Sequence, residues 1–474
     1  MFSNRIVQGA MVALALLALT AGAVNAGDLN PPPGPVAPTM KTLDQVEPRI
    51  AVQSLPSNGT ATHAITQPGS YYLTGNIQGG AGQHGIEITT NNVTLDLNGF
   101  AITGPGASSG GGLSGVRMPG FRENVVIRNG AVRNWPGFGV DARIDIGRIE
   151  NIVASQNGAW GISNIAGAFT THIVACEAFG NTAGGIRSGS VAVISDCVSR
   201  SNTGPGYHAA NGSVIRDSVA ANNQGVGFLV GASATISGCT AQSNDVGGFS
   251  VGIGCVVQRC VANNNSGTGI TAGARSQITD SVAQSNAGPT AAGIVAGEDS
   301  TVSNCTASAN GSFGIRGLLG TSILNCTASG NTGVGISLEG QGRIADSVSR
   351  NNDGGGFFVG SGSTVTGCNA IGDEIQGFRI ESGCIVRGNN ASNSSGSGFR
   401  VTGEKNRIEA NNSVDNGAHG FAIDGEKNYI VSNMASGNSS GGYSVGFGNN
   451  FGQFISGDNI VITSSNPWAN FLQN

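Results

Sequence analysis

The chain has 474 residues, of which 79 are Gly and only 11% carry charge, and its formal net charge is −5 at pH 7. So sparse and slightly acidic a surface excludes the usual basic footprint for nucleic acid, and no basic run or aromatic RNA motif occurs. Beyond the first 26 residues no apolar run is long enough to cross a bilayer.

Residues 1–26 read as a secretory signal peptide. Arg5 supplies the positive start, Ala10 to Ala23 the apolar stretch, and Val24-Asn25-Ala26 a small-residue cleavage site before Gly27. About 14 apolar residues are too few for a membrane anchor. The expectation is export to the periplasm or the cell exterior. Residues 27–60 (NPPPGPVAP, then EPRIAVQSLPSNG) form a Pro-rich extended arm. Residues 61–440 carry a repeat whose first coils, from Thr62 to Ile102, are irregular, as a capping end requires. Residues 441–474 lose the period, and Phe451, Phe454, Ile460, Ile462, Trp468 and Phe471 suggest a closing cap.

The repeat is set by a Gly followed by an apolar residue at Gly139, Gly161, Gly185, Gly206, Gly227, Gly248, Gly269, Gly293, Gly314, Gly335, Gly356, Gly377, Gly398, Gly420 and Gly442. Most steps are 21 residues, which marks a solenoid of about 17 coils in one domain. One residue after Gly an apolar side chain recurs, as in Tyr207, Phe228, Phe249, Ile270, Phe357, Phe378 and Phe399. Nine or ten after it come Ile194, Ile215, Ile236, Val257 and their successors. Alternation with period two, broken by Gly or Asn in every run, gives three short strands per turn and no helix. The fold class is all-β, a single-stranded parallel β-helix. Stacked coils lie about 4.8 Å apart, so like residues fall on like. The phased glycines, Gly206 and Gly227 among them, are expected to take positive φ at a tight corner.

Two polar columns follow the apolar ones. Asn202, Asn223, Asn244, Asn265, Asn286, Asn310, Asn331 and Asn352 can form an asparagine ladder, each amide bonded to its neighbours. Cys176, Cys197, Cys239, Cys260, Cys305, Cys326 and Cys368 share a column with Ser218, Ser281, Ser347, Asn389, Asn411 and Asn433, so that position wants a small side chain. Stacked side chains about 4.8 Å apart sit at the edge of disulfide geometry. Buried free thiols are therefore expected, with bridges such as Cys239 to Cys260 the alternative. No CxxC occurs and the five His are scattered, so no metal site is expected.

The pattern resembles the right-handed parallel β-helix proteins of the pectate-lyase-like superfamily over roughly residues 85–450. The segments PGSYYLTGNI (68–77), NNVTLDLNGFAITG (91–104) and NPWANF (466–471) resemble a group of exported bacterial β-helix repeat proteins of unassigned activity. Right-handedness is what the resemblance implies.

It also prompts a search for the parts of a polysaccharide-acting enzyme. The outward column two residues after Gly ends in Phe358, Arg379 and Arg400, which should stack on adjacent coils. An aromatic ring could take a sugar face and two guanidiniums a uronate carboxylate. Asp373, Glu374, Glu381 and Glu404 are expected in neighbouring loops. Asp196 and Asp217, on adjacent coils, are a second pair of carboxylates with the separation of a retaining glycosidase or a calcium site. His208 beside Arg187 and Tyr207 stands alone. Each set also has a plain reading as solvated surface. Two functions stay open: a non-enzymatic exported protein that binds glycans or surface polymers or acts as a spacer, and a lyase, epimerase or glycoside hydrolase on an acidic glycan. No cofactor is implied, except Ca2+ if the activity is lyase-like.

Overall fold

The computed structural model describes residues 47–107, 112–165, 170–457 and 465–473. The signal peptide, most of the Pro-rich arm, Ile460 and Ile462 lie outside the described residues. The solenoid is the unit Arg49–Asn474, and it begins earlier than residue 61. Ile50 and Ala51 already pair with Tyr71 and Tyr72, and Val52 is buried in the core.

One coil shows how the rest is built. Val226–Val230 lies in a first sheet, Thr235–Ser237 in a second and Thr240–Gln242 in a third. Each strand pairs in parallel with its counterpart one coil on, so Phe228 faces Phe249, Ile236 faces Val257 and Ala241 faces Ala262. About 19 turns result, slightly more than the 17 expected. Among the described residues the first sheet has 18 strands. The second and third are joined in the early coils, because Arg122–Arg133 and Ile144–Ser155 run unbroken around their corner.

The columns are physical stacks. Tyr207, Phe228 and Phe249 lie ring on ring at 4.6 and 4.8 Å, and Phe357, Phe378, Phe399, Phe421 and Tyr443 continue the stack at 4.6–5.1 Å. At the N-terminal end the core is filled by Trp135, whose Nε1–H donates to the Ile102 carbonyl at 3.2 Å. Each coil turns through left-handed residues, as at Ser233 (φ 56°), Gly238 (64°) and Ser243 (53°).

The phased glycines have a different cause from the one expected. Gly206 and Gly227 do not adopt positive φ. A Cβ on Gly227 would stand 2.7 Å from the Gly248 carbonyl oxygen and 2.9 Å from Asn244 Nδ2. The glycine is required by the close approach of the next coil, not by its own dihedral.

The ladder explains that approach. Asn223 donates its backbone N–H (3.1 Å) and its Nδ2 (3.0 Å) to Asn244 Oδ1, and Nδ2 also reaches the Ser199 carbonyl at 3.1 Å. The same three bonds recur from Asn157 to Asn352, which satisfies the buried amides of that column. The cysteine column does related work. The Cys176 N–H donates to Cys197 Sγ (3.4 Å), the Cys197 N–H to Ser218 Oγ (3.2 Å), and the Cys368 N–H to Asn389 Oδ1 (2.9 Å). The position needs an acceptor as well as small size, which is why Ser and Asn replace Cys there. All nine cysteines are buried free thiols, and burial pushes the Cys368 thiol up to about 12.

Candidate functional site

Alternation places the residue after each inward apolar side chain of the first sheet on its outer face. There Phe358, Arg379 and Arg400 stand in register on consecutive coils. The Arg379 guanidinium lies 5.5 Å from the Phe358 ring centroid, a cation–π contact. Phe358 and Arg379 border a cleft of about 160 Å³ with Ile375 and Gln376. Arg400 is paired with Asp424 at 3.0 Å. Among the described residues no carboxylate lies within ion-pair distance of Arg379.

The neighbouring acids are committed elsewhere. Glu381 Oε2 accepts from Ser361 Oγ at 3.2 Å, and Glu404 pairs with Lys427 at 3.2 Å. The lysine partner holds the Glu404 carboxyl below its usual range. Asp373 lies in the loop between Asn369–Ile371 and Phe378–Ile380, but its side chain does not face solvent. It is fully buried in the asparagine ladder, accepting the Asn352 N–H at 3.0 Å and Asn352 Nδ2 at 3.0 Å. Asp196 and Asp217 sit at the corner between the second and third sheets, away from the arginines. Both have left-handed φ (57° and 50°), a conformation Asp tolerates and which Gly238 and Arg259 take on the next coils. Among the described residues no group of three or more His, Cys, Asp or Glu could hold a metal ion.

Residues 232–384 match the family described as "Right handed beta helix region". The match covers about a third of the chain, whose described coils form a parallel β-helix throughout. No curated protein matches this β-helix protein in sequence. Among solved structures it is similar to the A-module of the Azotobacter vinelandii mannuronan C-5 epimerase AlgE6, with 17% identity over 77% of this chain and 90% of that one, and a TM-score of 0.33. The N-terminal fragment of bacteriophage phi29 gene product 12 gives 12% identity, 76% and 87% coverage and a TM-score of 0.36. The periplasmic alginate epimerase AlgG gives 12% identity, 82% coverage of each chain and a TM-score of 0.24. Likenesses at this level speak to no activity of the chain.

The outer column of the first sheet also extends further than its sequence period suggests. Running back from Arg187 it continues as Ser163, Asp141, Arg117 and Glu87, all in register. Arg117 contacts Glu87 at 3.5 Å, and Glu87 also accepts from Asn58 Nδ2 at 2.8 Å. His84 Nδ1 accepts the Ser114 N–H at 2.9 Å, and Arg117 Nη1 lies 3.0 Å from its Nε2. Burial and the Arg117 charge hold His84 below the usual imidazole range. His208 is not solitary either, since its ring lies 6.0 Å from that of Trp160. The signal in the sequence was Gly85 and Gly115, which continue the phased glycines across an irregular step of 30 residues.

Proposed function

We propose that this β-helix protein is exported and non-enzymatic, and that it binds an acidic polysaccharide along the outer face of its first sheet. The observation that carries this reading is Arg379, an exposed guanidinium with no carboxylate partner among the described residues, held against the Phe358 ring beside Arg400. A sugar face on the aromatic edge and a uronate carboxylate on the guanidinium fork would use both. Regular spacing of the coils lets successive rungs meet successive charges of an extended polymer. The nearby acids Glu381, Glu404 and Asp424 are bonded to Ser361, Lys427 and Arg400, which favours binding over acid–base chemistry.

A panel of oligouronates and neutral oligosaccharides, assayed for binding and for ultraviolet absorbance of unsaturated uronate, tests the reading. Binding of an acidic oligomer that falls about tenfold or more in Arg379→Ala, without new absorbance, is the expected result. Absorbance that disappears in Arg379→Ala and Arg400→Ala would establish a lyase instead.

A further inference from the structure

The structure assigns a second ligand site, for an oxyanion, to the first coils of the same sheet, built by Arg143, Ser163 and Arg187 around Asp141 and beside Trp160. It shares no residue with the Phe358–Arg400 patch and stands or falls separately.

Ser163 is the starting point. It lies in register between Asp141 and Arg187, and its chain neighbour Ile162 points into the core, so Ser163 points outward. An outward serine is normally wet. This one is 1% exposed, and its hydroxyl has no hydrogen-bond partner among the described residues. A buried hydroxyl without a partner costs roughly 1–3 kcal/mol, and native proteins keep few of them.

The groups around it are short of acceptors too. The Nε of Arg143 is buried and unpartnered. Neither Arg143 nor Arg187 has a carboxylate within ion-pair distance among the described residues. The recorded contact of Arg187 is with the Trp160 ring, 6.0 Å from its guanidinium carbon. Arg117, the third cation, is engaged with Glu87 and His84. Asp141 is the one nearby carboxylate left over, and it bonds to neither Arg117 nor Arg143. Burial pushes its carboxyl up even though both arginines pull it down.

Guanidinium groups offer protons, and Ser163 can do the same. Two guanidiniums that form no ion pair among the described residues and an orphan hydroxyl therefore call for a ligand rich in acceptor oxygens and negatively charged. A carboxylate, sulfate or phosphate group meets that description, and the guanidinium fork suits each of them. The half-buried Trp160 ring adds an apolar surface for whatever carries the anion.

Calorimetric titration of the full chain with inorganic sulfate, inorganic phosphate and glucuronate separates the tetrahedral from the planar ligand. One saturable equivalent is expected for at least one of the three. Arg143→Gln and Arg187→Gln should each weaken it about tenfold, the loss of one charge-assisted bond, and Ser163→Ala about fivefold. The equivalent weakened by the Arg143 and Arg187 variants should persist in Arg379→Ala, even where glucuronate also occupies the Arg379 patch, with thermal unfolding of every variant confirming a native fold. Absence of saturable binding for all three probes, or affinities untouched in both arginine variants, overturns the site. A loss produced by Arg379→Ala alone would move the anion to the other patch and overturn it equally. Because Ser163→Ala removes only an unbonded hydroxyl, the test survives even if an arginine variant fails to fold.

Discussion

Replacing Asp373 by Asn should make the protein more stable at neutral pH and remove a pH dependence. Asp373 stands where the ladder calls for an amide. Its Oδ1 accepts from Asn352 and from Ser349 Oγ, as an asparagine would. Its Oδ2 takes the place of Nδ2: a Cβ on Gly356 would lie 2.6 Å from it, as one on Gly335 would from Asn352 Nδ2. Asn352 Nδ2 donates to the Ala328 carbonyl at 3.2 Å, whereas Asp373 Oδ2 has no partner. Burial outweighs the accepted bonds and raises the carboxyl from 3.8 to about 6. At about 1.36 kcal/mol per pKa unit, keeping Asp373 ionised at pH 7 costs the fold about 3 kcal/mol. The sign follows from linkage. The unfolded chain ionises Asp373 near pH 4 and the folded chain only near pH 6, so stability falls between those values and is constant above them. Urea unfolding of wild type and Asp373→Asn at pH 4 and pH 7 measures it. The variant should match wild type at pH 4 and exceed it by about 3 kcal/mol at pH 7. A difference independent of pH, or a variant less stable at pH 7, would refute the reasoning.

Phe378→Ala empties a rung with rings at 4.6 and 4.7 Å on either side, and should cost about 3–5 kcal/mol by urea unfolding. Cys197→Ser keeps an acceptor for the Cys176 N–H and should cost under about 1 kcal/mol, whereas Cys197→Val strands that donor at about 1–3 kcal/mol. The nine thiols are buried, so a thiol reagent should label none of them in the native protein and all of them in urea, read by mass spectrometry.

The repeating interior was open to sequence reading because stacking forces like onto like. Phe228, Ile236 and Cys239 each occupy the row their spacing assigned. What escaped involves a second coil. Gly227 looks like a dihedral requirement until Asn244 of the following turn is set against it. Asp373 reads as a loop acid because the ladder seems to stop at Asn352, and only the stack shows that the column runs on. The patch at Phe358, Arg379 and Arg400 was legible because it falls in the regular coils. Asp141 and Ser163 were not, since the long step from Gly85 to Gly115 hides the register of the early turns.

Every rung of the ladder gives its backbone N–H and one amide proton to the coil after it, and its other amide proton to a carbonyl of the coil before. An incomplete stack therefore ends in open donors on the side where a growing chain adds its next turn. The cysteine column runs the same way and meets its last acceptor late: Asn433 donates its N–H and Nδ2 to Asn470 Oδ1, 37 residues further along. A protein shortened ahead of Asn470 would be left with an unclosed edge, and loss of order would travel inward turn by turn, as a zipper opens from its free end.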